Sequence, residues 1–185
     1  MISEVNFNRL RKELAVEAKN GIDFCLAAAV VWAILCLVWM SGLTLFSKCL
    51  FSFYISTLLL PLAFCLSKLL KTQWQLKHNP LQPLGLWLNF AQLFYFPLLF
   101  FSLYKAPDYF IMIYAVITGA HLFPYSWYYR NPFYAVAAGV SSLGSFFLSL
   151  RLSPGKIFFI PLFMSFCFVA LSFCLTVHLR KRSHI

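Results

Sequence analysis

The chain has 185 residues, of which 62% are hydrophobic and only 11% are charged, and its mean hydropathy is +0.79. A soluble domain has about 25% charged residues, so this composition excludes a water-soluble globular fold. The formal net charge of +10 does not indicate a nucleic-acid-binding protein, because the Lys and Arg residues are spread over alternate connections of the chain.

The first segment, residues 1–20, is charged and polar. Phe7, Leu10 and Leu14 recur at helical spacing with charged residues mostly elsewhere around the turn, which predicts a short amphipathic helix. Such a helix lies at the membrane interface or is a solvated lead into the first span, and both interpretations stay open. The segment does not have the pattern of a cleavable signal peptide, because the apolar stretch after it is too long.

Six apolar stretches of membrane-spanning length follow. About 20 helical residues cross a hydrocarbon core of about 30 Å, and the stretches show no apolar–polar alternation of the kind a barrel strand needs. They are predicted at about 22–43, 47–69, 84–104, 109–128, 133–150 and 157–179. The predicted fold is an all-α membrane protein with a compact six-helix transmembrane domain over residues 21–180, followed by a basic tail at 181–185.

The distribution of positive charge predicts an orientation. Eleven Lys and Arg residues lie on the side of both termini and four lie on the other side. By the positive-inside tendency, both termini are cytoplasmic and the protein lies in a cytoplasmic (inner) membrane, where basic residues also meet anionic lipids.

Three further features of the sequence have their own interpretations. Asp23 at the mouth of span 1 is expected to be a helix-end carboxylate near water. The connection 71–83 is basic, contains two prolines and is the best candidate for a surface that binds a protein partner. The six cysteines lack a Cys-x-x-Cys spacing and are interpreted as buried apolar residues.

Spans 3 and 4 carry the most informative pattern, because polar residues at membrane depth face protein or water. Each span has a polar stripe at three- and four-residue spacing. The stripes are Gly85, Asn89, Gln92 and Phe96 in span 3, before a predicted kink at Pro97, and Tyr114, Thr118, His121 and Tyr125 in span 4. We therefore expect spans 3 and 4 to be central, with their stripes facing each other or a shared cavity.

The stripes have a functional and a structural interpretation. In the first, a pocket between spans 3 and 4 binds or transports a small polar ligand, or His121 transfers a proton. In the second, the same groups only hydrogen-bond and hold the bundle together. The candidate binding residues are Asn89, Gln92, Tyr95, Tyr114, Thr118, His121 and Tyr125.

Small residues in spans 2, 5 and 6 are interpreted as helix-packing faces. The alternative function is a structural or accessory subunit that binds a protein partner or a second copy of the chain. An intramembrane enzyme acting on lipid is weaker, because no span contains an acidic pair or a His-x-x-x-His pair. A dyad of His121 with Ser141, Ser142 or Ser145 has no further support. No metal site and no cofactor are expected.

Two segments resemble a known family. The runs LGLWLNFAQLFYFP at 84–97 and YFIMIYAVITGAHLFPYSW at 109–127 are similar to a family of small bacterial six-span membrane proteins of unknown function. The part at 119–124 is the most specific. The resemblance implies six helices in a bacterial cytoplasmic membrane, and it brings no activity or site residue.

Overall fold

The computed structural model describes residues 4–183, with side chains described for residues 4–180. Within these residues the chain is helical, and no strand occurs. The predicted basic tail at 181–185 has no described side chains, and residues 184–185 lie outside the described part altogether. The ten α-helices of the described residues are α1 (Glu4–Glu17), α2 (Ile22–Met40), α3 (Leu45–Ser56), α4 (Leu59–Leu70), α5 (Gln82–Leu93), α6 (Phe96–Lys105), α7 (Phe110–His121), α8 (Phe123–Tyr128), α9 (Phe133–Arg151) and α10 (Phe159–Ser183).

These helices form six candidate membrane spans, by length and composition, and each overlaps a predicted stretch. They are span 1 (Lys19–Met40), span 2 (Leu45–Leu70), span 3 (Gln82–Lys105), span 4 (Pro107–Tyr128), span 5 (Phe133–Arg151) and span 6 (Pro154–Arg180).

Prolines interrupt three of the six spans. Proline lacks the N–H that continues an α-helix and clashes with the preceding turn. The breaks occur at Thr57–Leu58 before Pro61, at Phe94–Tyr95 before Pro97, and at Leu122 before Pro124. The helix is therefore interrupted just before Pro97, where the kink is predicted, and spans 2, 3 and 4 each consist of two shorter helices.

Span 1 is the centre of the bundle. It packs against spans 2 and 6, span 5 lies between spans 4 and 6, and span 3 contacts span 4 and, less extensively, span 2. Of the most apolar 18 residues of each span, 56% are buried in span 1 but only 6% in span 3. The prediction that spans 3 and 4 are both central is thus wrong for span 3, which lies at the edge because its bulky side chains point away from the other helices.

Small residues explain why span 1 is central. Ala27, Ala28 and Ala29 are all buried, and small side chains let neighbouring helices approach closely. The Ser165 hydroxyl of span 6 donates to the Ala29 carbonyl at 2.9 Å. The small-residue faces predicted in spans 2, 5 and 6 contribute further buried positions, namely Ser52, Ala63, Ser67, Ala138, Ser145 and Ser172.

Helix α1 and the connection 71–81 pack on each other at one end of the bundle, called here the termini end, where spans 1, 3 and 5 begin and spans 2, 4 and 6 finish. Leu14 and Ala15 of α1 and Leu76 of the connection are buried. The Asn79 amide donates to the Leu10 carbonyl at 2.9 Å, and His78 Nε2 lies 2.5 Å from Glu13 Oε1. Part of the surface that the sequence offers for a protein partner is therefore covered by the chain's own first helix.

Arg11 joins α1 to the end of span 4. Its guanidinium donates to the Trp127 carbonyl and lies 4.5 Å from the centroid of the Trp127 ring, a cation–π arrangement. Burial and the nearby charge of Arg130 lower the pKa of Arg11 from its ordinary value, but an arginine stays charged at neutral pH. This contact fixes α1 against the end of the bundle.

Asp23 is 1% exposed, so the expectation of a carboxylate near water is wrong. Its Oδ2 accepts hydrogen bonds from the Thr72 hydroxyl at 2.7 Å and from Trp74 Nε1 at 2.6 Å, and its Oδ1 accepts from the Phe24 N–H at 3.1 Å. The connection after span 2 folds over the carboxylate and excludes water from it. Asp23 thereby ties this connection to the start of span 1.

The six cysteines are free, and three of them, Cys25, Cys36 and Cys49, are buried. Cys65 is exposed on the side of the bundle, while Cys167 and Cys174 are half-buried. The prediction of buried cysteines therefore holds for three of the six.

Candidate functional site

Spans 3 and 4 run antiparallel with their polar stripes in register. Tyr125 Oη donates to the Gly85 carbonyl at 3.5 Å, and His121 Nε2 lies 3.4 Å from Asn89 Oδ1. Phe96 lies seven residues after Asn89, and Tyr114 lies seven residues before His121. The side chains of Phe96 and Tyr114 line one cavity. The expectation that the two stripes face each other is confirmed along this length.

Gly85 allows the two spans to meet at the termini end. A Cβ atom at this position would lie 2.9 Å from the Tyr128 hydroxyl and 3.1 Å from its Cζ, closer than ordinary carbon contacts. The Tyr128 hydroxyl donates to the Gln82 carbonyl at 3.4 Å. The site is therefore closed toward this end by a tyrosine that fits against a glycine.

The middle of the groove is open at the side of the bundle. Asn89 is exposed, and Gln92 and His121 are half-buried. The Asn89 amide also donates to the Gly85 carbonyl at 3.1 Å, so one of its two N–H groups has an acceptor within its own helix. The distance of 3.4 Å to His121 exceeds the usual 2.7–3.2 Å for N–H···O bonds, so the pair is loosely coupled. We call Asn89, Gln92, His121 and Tyr125 the polar notch.

Aromatic rings support the notch from behind. The Tyr125 ring meets the His121 ring edge-on at 5.3 Å between centroids and stacks on Tyr129 at 5.9 Å. Tyr134 lies next to both tyrosines, and its hydroxyl donates to the Asn20 carbonyl at 2.5 Å. This packing holds His121 on the side of span 4 that faces Asn89.

The other predicted site residues, Tyr114, Thr118 and Tyr95, lie outside the polar notch. Tyr114 lies deeper, where its hydroxyl donates to Ser56 Oγ at 2.5 Å and its ring lies 5.1 Å from that of Trp32. Thr118 lies between Tyr114 and His121, and its buried hydroxyl oxygen has no hydrogen-bond partner among the described residues. Tyr95, which is 52% exposed, is not joined to the others by any described hydrogen bond or ring contact.

A cavity of about 180 Å³ lies between spans 2, 3 and 4. It is mainly aromatic and apolar, and its polar groups are hydroxyls that are largely engaged within the protein: Tyr114 donates to Ser56, and Ser56 donates to the Ser52 carbonyl at 2.5 Å. Its lining residues are Phe53, Ser56, Thr57, Phe96, Leu99, Phe110 and Tyr114. Of these, the sequence singles out Phe96 and Tyr114 in the polar stripes and Ser56 in the small-residue face of span 2. The apolar lining residues are not found, because apolar side chains in a span carry no signal that separates a cavity wall from a lipid-facing surface.

The hydroxyls of Ser141 and Ser142, two of the serines considered as partners of His121, donate to backbone carbonyls. The Ser141 hydroxyl donates to the Ala137 carbonyl at 2.6 Å, and the Ser142 hydroxyl donates to the Val116 carbonyl at 3.3 Å. Among residues 4–183, no group of three or more His, Cys, Asp or Glu residues is placed to hold a metal ion. The site presents amides, an imidazole and hydroxyls, which are groups for binding.

The model of one protein family, described as "Family of unknown function (DUF7010)", matches residues 7–178. No curated protein and no solved structure matches the chain. The match covers both polar stripes and all six candidate spans except the last residues of span 6, and it supplies no activity.

Proposed function

We propose, because the chain belongs to the DUF7010 family of unknown function and has six helices of membrane-spanning length, that it is a non-enzymatic multi-pass membrane protein that binds a small polar ligand, for storage, sensing or transport, at the polar notch. The observation that carries this proposal is the exposed Asn89 carboxamide, 3.4 Å from His121, on the outer side of a candidate span.

The free-energy cost of unpaired polar groups in lipid favours a bound ligand at the polar notch. An amide has four hydrogen-bonding sites, two donors and two acceptor lone pairs. Asn89 uses one donor on Gly85 and one acceptor weakly on His121. Unsatisfied polar groups in a hydrocarbon environment cost free energy, and a hydroxyl- or amide-bearing ligand would satisfy Asn89 and Gln92 together.

The orientation proposed is that of both termini in the cytoplasm, in a bacterial inner membrane. It is supported by the eleven basic residues on the side of the termini against four on the other. Reporter fusions at each terminus test it: a cytoplasmic signal from both supports the orientation, and a periplasmic signal from either overturns it.

The ligand proposal is tested by unbiased detection of small molecules and lipids that copurify with the wild type, with His121→Ala and with His178→Ala. His178 is the matched control, because it also lies near the termini end of a span but belongs to span 6. We expect a compound retained by the wild type and by His178→Ala and lost from His121→Ala. Equal retention of every compound by all three proteins would overturn the proposal.

A second candidate is an accessory subunit that binds a protein partner. The observation that favours it is the edge position of span 3, whose outer side exposes Trp87, Phe94 and Phe101. Against it, the small-residue faces that the sequence offers for association are buried within the chain itself. Native mass spectrometry of the protein released from membranes tests this candidate. A complex with a second protein or a second copy of the chain supports it, and a lone chain contradicts it.

A further inference from the structure

The polar notch and the apolar cavity lie at different depths along spans 3 and 4. Asn89 lies seven residues from the start of span 3 at Gln82, and His121 lies seven residues from the end of span 4 at Tyr128. At about 1.5 Å per residue, the polar notch is about 10 Å from the termini end of both spans. Phe96 and Tyr114 are another seven residues along, so the cavity lies about 10 Å deeper still.

These depths correspond to two chemical layers of a bilayer. The hydrocarbon core is about 30 Å thick and the whole bilayer about 40–45 Å. Each head-group layer is therefore about 5–8 Å thick, so a point about 10 Å from a span end at the bilayer surface lies just inside the hydrocarbon core, next to the head groups. A point about 20 Å along lies near the middle of the core. The polar notch and the apolar cavity match the head and the tail of a membrane amphiphile.

The cavity is large enough for part of one chain. An apolar cavity of about 150 Å³ accepts a benzene molecule, and the volume here is about 180 Å³. Its rings come from three spans, with Phe53 in span 2, Phe96 in span 3 and Phe110 in span 4. A space of this size holds part of one aliphatic tail and is too small for the paired tails of a phospholipid.

The groups in the notch select an uncharged head. The contacts described around Asn89 and His121 are with Gly85 and Tyr125, none of which carries a fixed charge. Phosphate and carboxylate heads are normally recognised by Arg or Lys. Amides and an imidazole pair well with hydroxyl groups, which both donate and accept.

We infer that the groove binds a single-chain amphiphile with an uncharged, hydroxyl-bearing head, such as a long-chain alcohol or a monoacylglycerol, with its head at Asn89 and His121 and its tail in the cavity beside Phe96 and Tyr114. This inference rests on the proposed function and adds the ligand class to it. The Thr118 hydroxyl, buried between the two parts, is within the stripe that the ligand would follow.

Photolabelling of the full chain in lipid nanodiscs tests the inference. One probe is a long-chain primary alcohol with a diazirine near the end of its tail, and the other is a short-chain alcohol with the same head and a diazirine. Cross-linked peptides are mapped by mass spectrometry. We expect the long probe to label the cavity residues of span 2, Phe53 to Thr57, and the short probe to label span 4 near His121.

Matched variants separate the cavity from general contact with lipid. Leu99 lines the cavity and is 1% exposed, whereas its neighbour Leu98 is 53% exposed on the outer side. Leu99→Phe should reduce labelling at Phe53 to Thr57 about tenfold, equivalent to about 1.4 kcal/mol of binding, and Leu98→Phe should leave it unchanged. Thr57→Phe fills the cavity from the other side and replaces Leu99→Phe if that variant does not fold.

The outcomes distinguish this inference from the proposed function. Long-probe labelling of the cavity that persists in both filling variants, or labelling spread evenly over all outer surfaces, overturns the amphiphile. Short-probe labelling near His121 that His121→Ala abolishes, with the cavity never labelled, overturns the amphiphile and leaves the polar site standing. Absence of labelling at both places overturns both.

Discussion

Spans 1 and 3 look alike in sequence but occupy opposite positions in the fold. Both are long, apolar and rich in aromatic residues, and span 3 carries more polar side chains. Yet Trp32 of span 1 is 2% exposed and Trp87 of span 3 is 69% exposed. The difference follows side-chain size: span 1 has three consecutive buried alanines, whereas span 3 exposes large aromatic side chains such as Phe94 and Phe101. In lipid, where apolar surface gains little by burial, close packing decides which helix is central.

The largest expected difference in stability is between alanine variants of the two tryptophans. Trp32→Ala removes a buried ring that touches Tyr114 and leaves a cavity, which costs about 3–5 kcal/mol. Trp87→Ala removes a side chain that faces outward, and surface changes cost within about 0.5 kcal/mol. The free energy of unfolding in a detergent titration measures both, and similar losses in the two variants would contradict the central position of span 1.

The next largest effect concerns glycines. A Cβ at Gly119 of span 4 would lie 2.5 Å from Ser141 Oγ and 2.8 Å from the backbone nitrogen of Ser142, so Gly119→Leu must push spans 4 and 5 apart, at a cost of about 3 kcal/mol. Gly139→Leu in span 5 is the matched control, because nothing lies within 4 Å of its Cβ position.

Gly85→Leu provides the comparison with span 3. The atoms in its way are the hydroxyl and ring of Tyr128, which can rotate, so we expect a smaller loss than for Gly119→Leu. Thermal unfolding midpoints of the three variants should rank Gly119→Leu lowest and Gly139→Leu highest. The ranking fails if Gly139→Leu is the most damaging.

Two asparagines, one buried and one exposed, test the same contrast with smaller expected losses of stability. Asn131 is 0% exposed and its Oδ1 accepts from the Phe133 N–H at 3.1 Å, so Asn131→Leu should cost about 1–3 kcal/mol. Asn89→Leu alters an exposed amide with a long contact to His121, and hydrogen bonds between membrane helices average about 0.6 kcal/mol. The expected result is a measurable loss of stability for Asn131→Leu and a change near the error for Asn89→Leu.

A large loss in Asn89→Leu would mean that the Asn89–His121 pair holds the helices together, the structural interpretation of the stripes. If a stable Asn89→Leu protein still retained the ligand, the Asn89 carboxamide would not be needed for binding. The stability measurement and the copurification assay are therefore read on the same preparation.

The sequence was sufficient for the spans and for the pairing of spans 3 and 4. Membrane-spanning length requires a long apolar run, and polar residues at helical spacing select one face, so Asn89 and His121 could be placed opposite each other. It was not sufficient for the edge position of span 3, because polar residues do not reveal how many helices surround them. Nor could it show that Asp23 is buried, since the groups that cover it, Thr72 and Trp74, come from a connection about 50 residues away.

The smallest effect expected is at α1, which docks from outside the spans. The Glu13–His78 pair is partly exposed, with 33% and 69% of the side chains accessible, and such pairs contribute about 0.2–1 kcal/mol. Glu13→Gln should speed amide hydrogen exchange in α1 about two- to fivefold, while the exchange of span 1 stays unchanged. Glu17→Gln is the matched control, because the hydrogen bond that Glu17 makes to the connection comes from its backbone carbonyl, which accepts from the Gln73 N–H at 3.0 Å. Faster exchange throughout span 1 would instead mean that α1 and the central helix unfold as one unit.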